Sequence, residues 1–303
     1  LSAGMRYQSN ASYGPDSDLV RASGRLIRLP TDSAPQADAN GFLSAYVRHL
    51  YDLDRQDGLL IESTLSAYGS RHADLSRLNL LLVEPTVGAR FRPAPDTAPA
   101  FPLRPHILGT AALLDDRFYL GTIGFGLDAA QRFDSGTSLE ATYNFRRRSF
   151  ENGPERPPAG DQSGIENSIV LRGRHAVLKD TTLGIDVLFA RDDADRRYTA
   201  NDRYAVTASV TQLVSAPFQL TEGKWSYTLY GTRIWTDYDG PDAALDSGVT
   251  RRDREWRVGA SQIVPFNPDW SALLQVEYAS IDSSLPNYTL DNVSVLVGIS
   301  RRF

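Results

Sequence analysis

The chain has 303 residues, of which 41% are hydrophobic and 23% charged, and its net charge is −5. The charges are spread along the chain, so nucleic acid is not an expected partner. The absence of cysteine excludes disulfide scaffolds and thiolate metal sites. The longest apolar runs, such as Leu80 to Val83, are far shorter than the roughly 20 residues of a membrane-spanning helix.

A two-residue alternation of apolar and polar side chains recurs along the chain, in segments of about ten residues. Leu139, Ala141 and Tyr143, for example, alternate with Glu140 and Thr142. A β-strand places successive side chains on opposite faces, so each such segment is interpreted as a strand. The pattern predicts about fourteen strands, near residues 1–10, 41–52, 58–68, 75–90, 104–114, 117–132, 137–148, 164–177, 182–191, 202–214, 224–237, 252–265, 270–280 and 289–303.

The connections between these segments alternate in length. Short polar turns at 54–57, 134–136, 179–181 and 267–269 alternate with longer segments at 10–40, 151–163, 192–201, 239–251 and 282–286. Two connections depart from this rule: a tight turn at 115–116 on the long-loop side, and a Pro-rich segment at 92–102 on the short-turn side. Short turns at one end and long loops at the other are typical of an outer-membrane barrel.

We therefore predict an all-β fold: a closed antiparallel transmembrane β-barrel of about 14 strands, forming a single domain over residues 1–303 in the outer membrane of a Gram-negative bacterium. An even strand count places both termini in the periplasm. A soluble β-sandwich or propeller also shows alternation. The long strands, the terminal aromatic residue and the aromatic residues near strand ends favour the membrane barrel.

The long connection at 10–40 contains an apolar alternation from Leu19 to Leu29 that the strand map leaves unpaired. It extends the first hairpin above the membrane, folds inward as a plug, or supplies a surface for a partner. If it were a further spanning strand, the two termini would fall on opposite sides of the membrane.

The chain ends in Val-Gly-Ile-Ser-Arg-Arg-Phe. This ending resembles the terminal strand by which the outer-membrane barrel assembly machinery recognises its clients, and we assign Val295, Val297, Ile299 and Phe303 to this assembly signal. The segment 283–292, Ser-Ser-Leu-Pro-Asn-Tyr-Thr-Leu-Asp-Asn, resembles the end of the surface lipoprotein assembly modifier family. The opening Tyr-Gln-Ser-Asn-Ala at 7–11 is similar to a Tyr-x-Ser-Asn segment early in such barrels.

Members of that family carry periplasmic helical repeats ahead of the barrel, and related architectures serve exopolysaccharide export. The resemblance implies a translocation barrel that exports a protein, lipoprotein or polymer, with a helical-repeat domain upstream of residue 1. Outer-membrane lipids, the assembly machinery and the exported cargo are the expected partners. The rival hypothesis is a general diffusion porin for small polar solutes.

A closed barrel of about this size is too wide for its side chains to fill, so we expect a water-filled lumen or an inserted plug. The polar strand faces predict these lumen-facing charges: Arg48, Glu62, Glu140, Arg146, Arg148, Glu166, Arg172, Arg174, Asp186, Arg257 and Glu277. The predicted basic cluster of Arg146, Arg148, Arg172 and Arg174 forms either a positive wall for an acidic solute or polymer, or a salt-bridge ladder with Glu140 and Glu166. Arg147 is predicted to face outward, with its guanidinium at the interface or a lipid phosphate.

An outer-membrane enzyme is the alternative from another class. Of the four histidines, only His72 lies at the external end of the strand map, beside Ser70, Arg71 and Asp74. A lone loop histidine is a poor basis for catalysis. No His or Asp spacing repeats on one strand face, as a metal site would require. We therefore expect no enzymatic activity, no cofactor and no metal.

Overall fold

The computed structural model describes residues 1–29, 35–54, 59–91, 102–154, 156–217 and 223–303. Fourteen strands form one closed antiparallel barrel, which confirms the predicted fold class, and two short strands form a separate hairpin. The barrel strands are β1 (Ser2–Gln8), β4 (Asp38–Asp54), β5 (Leu59–His72), β6 (Leu80–Arg90), β7 (Leu103–Leu114), β8 (Arg117–Arg132), β9 (Thr137–Phe150), β10 (Gly164–Leu178), β11 (Thr181–Ala194), β12 (Asn201–Val214), β13 (Trp225–Pro241), β14 (Thr250–Pro265), β15 (Trp270–Ser283) and β16 (Leu290–Arg301). The hairpin strands are β2 (Leu19–Ala22) and β3 (Arg25–Arg28).

The barrel closes where β1 pairs with both β4 and β16. Glycines allow the closure, because a Cβ on Gly4 would lie 2.2 Å from the Val297 carbonyl oxygen and 2.9 Å from the Phe42 ring. The Leu1 amino group adds a hydrogen bond to the Arg301 carbonyl at 3.0 Å. The first and last strands are therefore joined along their whole length.

The outward face of the barrel is apolar. On β16, Val293, Val297 and Ile299 are 41%, 56% and 49% exposed, whereas the inward-facing Leu296 is 6% exposed. A soluble protein would bury such a row, and exposed apolar strand faces are typical of a barrel in lipid. In the described ranges, no helix is long and apolar enough to cross a membrane.

The structure corrects the start of the predicted strand 75–90. A short 3-10 helix occupies Ser76–Leu78, and β6 begins only at Leu80. The reason is local: the Leu75 amide donates to the Asp38 carboxylate at 2.9 Å, and the Asn79 side chain accepts the His72 amide at 2.8 Å. These contacts divert the segment from the sheet.

The apolar alternation within 10–40 is not a spanning strand. It forms the β2–β3 hairpin, which is a sheet of its own, so the barrel count stays at fourteen. The tight turn at Asp115 and Asp116 is confirmed, and both residues have positive φ, 52° and 60°. Two predicted connections lie outside the described residues: the turn at 54–57, apart from Asp54, and the Pro-rich segment at 92–102, apart from Pro102.

Candidate functional site: the barrel lumen

The charged residues of the strands lie on the inner face of the barrel. Leu139, Leu171 and Ile185 are outward and 52%, 44% and 52% exposed, so the residues that follow them point inward. By the same alternation the structure places all of the predicted lumen charges on the inner face: Arg48, Glu62, Glu140, Arg146, Arg148, Glu166, Arg172, Arg174, Asp186, Arg257 and Glu277.

A chain of ion pairs runs along the inner wall from β4 to β8. Arg48 donates to the Glu62 carboxylate at 2.7 Å, and Arg104 binds the other Glu62 oxygen. Arg104 also donates from Nε to Asp128 at 2.9 Å, and the Thr142 hydroxyl donates to Asp128 at 2.8 Å. Glu62 is only 6% exposed, so its two guanidinium partners offset the cost of removing a carboxylate from water.

A second set of ion pairs continues over β9, β10 and β11. Arg172 lies 2.8 Å from Glu140, and Arg174 binds both oxygens of Asp186, at 2.5 and 2.9 Å. Nearer the long-connection end, Glu166 lies 3.3 Å from Arg148 and 3.8 Å from Arg146. Arg148 also binds Asp192. Each arginine of the hypothetical positive wall thus has a carboxylate beside it, which favours the ladder interpretation.

The opposite wall carries hydroxyl groups in place of an ion-pair ladder. Thr207 pairs with Thr232, and Thr211 with Thr228, each at 2.9 Å. Beyond them, on β13 to β15, the Tyr230 hydroxyl donates to Glu277 at 2.6 Å, and Arg257 contacts Glu255 and Glu277. The lumen therefore has a long charged stretch from β4 to β11, a neutral hydroxyl-lined stretch on β12 and β13, and a smaller charged cluster on β14 and β15.

The lumen is open to water beside these networks. The side chain of inward-facing Tyr46 is 62% exposed, and those of Arg172 and Glu140 are 41% and 45% exposed. A cavity of about 330 Å³ lies against the inner faces of β5 to β10, between Thr64, Thr110, Asn144 and Arg172. Partly exposed ion pairs on an inner wall require solvent, because unsolvated charges in a low dielectric are costly.

Sequence reasoning missed three members of these networks: Arg104, His106 and Asp192. Arg104 and His106 both lie on the inward face of β7, so applying the two-residue alternation from the start of that strand would have identified them. His106 is 8% exposed and lies against Gly126, where a Cβ would be 2.5 Å from the ring. Asp192 lay just beyond the predicted strand 182–191, and β11 in fact continues to Ala194.

The connection between β1 and β4, which we call loop 1 (residues 9–37, described at 9–29 and 35–37), lies at the long-connection end of the barrel. At its base, the Asn10 amide group donates to the Gly14 carbonyl at 2.7 Å and accepts from the Gly14 amide at 3.0 Å. Tyr13, within this turn, has a positive φ of 52°. Loop 1 therefore begins with a tight turn at the end of β1.

The β2–β3 hairpin of loop 1 is fixed to the two neighbouring loops at the same end of the barrel. Arg21 forms an ion pair with Asp246 in the β13–β14 loop at 2.6 Å. Arg21 and Asn287, in the β15–β16 loop, exchange two hydrogen bonds of 3.0 Å. The Ser23 amide donates to the Ala244 carbonyl at 2.8 Å. Of the three alternatives for this segment, the contacts fit an extension beyond the strands, folded against the β13–β14 and β15–β16 loops.

His72 has a structural role at the long-connection rim of the barrel. Its Nδ1 lies 3.0 Å from the Asp38 carboxylate, and its Nε2 lies 3.5 Å from the Asn40 amide. Asp38 is fully buried and also accepts from the Leu75 amide. Both ring nitrogens of His72, the last residue of β5, are therefore used to fasten the start of β4, and Asp38 joins β4 to the β5–β6 loop. Across the described ranges no group of three or more His, Asp or Glu residues could hold a metal.

The predicted assembly signal lies at the short-connection end. Val297 and Ile299 are outward and exposed, and Phe303 is 87% exposed. The Arg301 guanidinium lies over the rings of Phe303 and Trp270, at 4.6 and 5.3 Å. The signal residues are thus presented on the outer surface of β16, while their recognition by the assembly machinery stays a prediction.

A closed barrel with an apolar outer face and a hydrated, charged inner face is a transmembrane β-barrel. No protein-family model and no curated protein matches the chain. Among solved structures, it is similar to a bacterial polysaccharide outer membrane secretin at 10% identity and TM-score 0.46, over 100% of this chain and 98% of that one. It is also similar to the outer membrane channel DcaP of Acinetobacter baumannii, at 10% identity and TM-score 0.47, over 100% of this chain and 95% of that one. A third similar structure is the P. putida toluene transporter TodX, at 10% identity and TM-score 0.47, over 100% of this chain and 89% of that one. These values assign the chain to no family.

Proposed function

We propose that this protein is an outer-membrane channel that exports a hydrophilic cargo, a protein, lipoprotein or polymer, from a Gram-negative cell. In this proposal the short connections and both chain ends face the periplasm, where a helical-repeat domain delivers the cargo. The observation that carries the proposal is the hydrated lumen, whose inward side chains remain as much as 62% exposed at Tyr46. A lumen lined by balanced charges and hydroxyl groups suits a hydrated cargo.

The contacts of loop 1 support regulated export rather than free diffusion. It leaves β1, crosses the ends of β16 and β15, and is held by the Arg21–Asp246 ion pair and by Asn287. In this proposal the loop keeps a wide pore closed until cargo displaces it. The resemblance of segments 7–11 and 283–292 to the surface lipoprotein assembly modifier family supports the same direction of transport.

A general diffusion porin for small polar solutes is the second candidate. The observation in its favour is the charge balance of the wall, where Arg172 with Glu140 and Arg174 with Asp186 present both signs to water. Such a wall would pass small solutes of either sign. The two functions differ in whether the isolated chain conducts steadily.

Conductance in planar lipid bilayers separates the two candidates. We expect the wild-type chain to rest mostly closed, and a variant with Arg21→Ala and Asn287→Ala to open for longer, because the hairpin loses its anchors. The matched control is Arg28→Ala, since the ion pair of Arg28 among the described residues is with Asp18 of the same loop, at 3.0 Å. Steady conductance of the wild type, unchanged in the double variant, would identify a diffusion porin and contradict export.

A further inference from the structure

The outward face of β6 to β9 is not smooth. A groove runs across these strands between the side chains of Ile107, Ile123, Phe125 and Phe145, and Gly109 forms its floor. The Phe125 and Phe145 rings stack on one another at 5.0 Å and build one wall. A Cβ on Gly109 would lie 3.6 Å from the Thr122 carbonyl oxygen and 3.7 Å from the Pro85 ring, which are ordinary contact distances, so this position can carry a larger side chain. The groove has an apolar lining that suits an acyl chain.

One end of the groove carries a charge. Arg147 lines it, faces outward, and has Ile123 and Ile165 as its neighbours on the adjacent strands. Within the described residues no carboxylate lies within ion-pair distance of Arg147. Two other outward arginines are compensated: Arg254 pairs with Asp237 at 2.8 Å, and Arg233 stacks on Trp256 at 4.5 Å. An arginine on an apolar surface needs an anionic partner or water.

Arg147 lies towards the long-connection end of β9, three residues before the strand ends at Phe150. At about 3.3 Å per residue this is about 10 Å along the strand, within reach of the interface for an extended arginine. Above it, at the rim of the same strands, a smaller pocket is lined by Arg117 and two further arginines, with two acidic residues. The Phe118 ring lines this pocket and lies 3.1 Å from the position of a Gly121 Cβ.

We propose that this groove and Arg147 form a binding site for one molecule of lipid A, the phosphorylated glycolipid of the outer leaflet. One acyl chain lies in the groove over Gly109, and a phosphate accepts hydrogen bonds from the Arg147 guanidinium. Planar guanidinium groups bind phosphate in this bidentate way, and charge-assisted hydrogen bonds are the strong ones. The proposed site depends on the proposed orientation, in which the long connections lie on the outside of the cell. It does not depend on any channel activity.

Native mass spectrometry of the full chain, purified in detergent and titrated with lipid A, tests the site. Arg147→Gln removes the charge, and Gly109→Val fills the groove without disturbing the backbone. We expect each to weaken lipid A binding about tenfold, the effect of losing one charge-assisted contact or a comparable apolar one. Arg254→Gln and Gly231→Val, on the outward face across the barrel, are the matched controls and should leave binding unchanged. A Cβ on Gly231 has no neighbour closer than 4.0 Å.

Heat-modifiable migration on gels establishes that each variant is folded before binding is compared. The proposal is overturned if the folded Arg147 and Gly109 variants bind lipid A as tightly as the wild type, or if the wild type does not bind it. Equal affinity for phosphatidylglycerol, with the same dependence on Arg147, would also overturn it, because the ligand would then be any anionic lipid. None of these outcomes depends on whether the barrel conducts.

Discussion

Arg21 and Asp246 form an ion pair of 2.6 Å that joins loop 1 to the loop between β13 and β14, 225 residues away in sequence. Asp246 is only 8% exposed, so the pair is partly shielded from solvent. We predict that Arg21→Ala raises amide hydrogen exchange in residues 19–28 about tenfold, as expected for losing a hydrogen bond to a charged group. Arg28→Ala, which leaves this anchor intact, should not. Unchanged exchange in the Arg21 variant would show that the hairpin is held by other contacts.

The inner ion pairs should differ in their effect on stability. Glu62→Gln leaves Arg48 and Arg104 without a full counter-charge at a buried position, and we expect the free energy of unfolding to fall by about 3 kcal/mol. Glu140→Gln breaks a pair that is 41% and 45% exposed, and should cost less than about 1 kcal/mol. Urea unfolding in lipid vesicles measures both values. Equal losses would contradict the role given to burial.

Ion selectivity tests the ladder interpretation of the arginines. Because Arg146, Arg148, Arg172 and Arg174 each lie beside a carboxylate, the open wild-type lumen should discriminate weakly between K⁺ and Cl⁻. Glu140→Gln frees Arg172, and we predict a shift of the reversal potential towards anion selectivity. Strong anion selectivity of the unmodified channel would instead support the positive wall.

Tyr198, in the long connection between β11 and β12, should lose its proton at a higher pH than a free tyrosine. Burial, and then its hydrogen bond to Asp161, raise the pKa of Tyr198 to about 12. Because this pKa is raised above the unfolded value near 10, the neutral tyrosine stabilises the loop contact fully below pH 10, and the contribution disappears as the pH rises through about 12.

Absorbance titration of the wild type against Tyr198→Phe should reveal the missing tyrosine near pH 12. Asp161→Asn should lower its pKa only in part, since burial is the larger cause. A missing step near pH 10 would contradict the burial of this side chain.

The strand order could be predicted because lipid imposes one simple rule on every strand: Val293, Val297 and Ile299 must be apolar, and their neighbours need not be. The contacts of loop 1 could not, since the partner of Arg21 lies 225 residues away and no periodicity marks it. The ion pair between Arg104 and Glu62 could not be predicted either, because it joins β7 to β5 across the intervening strand β6. The contact crosses β6 at Gly88, which has no side chain to block it. The start of β6 at Leu80 rather than at residue 75 could not be predicted, because it depends on two side chains. Asp38 and Asn79 accept hydrogen bonds from the backbone amides of Leu75 and His72 in place of a neighbouring strand.

The most direct test of the central claim is whether water fills the lumen and lipid covers the outside. The chain has no cysteine, so a single introduced thiol reports one position. In lipid vesicles, we predict that Thr207→Cys, on the inner wall of β12, reacts with a charged, membrane-impermeant thiol reagent. Ala208→Cys, the next residue and outward, should be protected. Protection of the thiol at 207 with reaction at 208 would contradict the account, because it would place water outside the barrel and an apolar medium within.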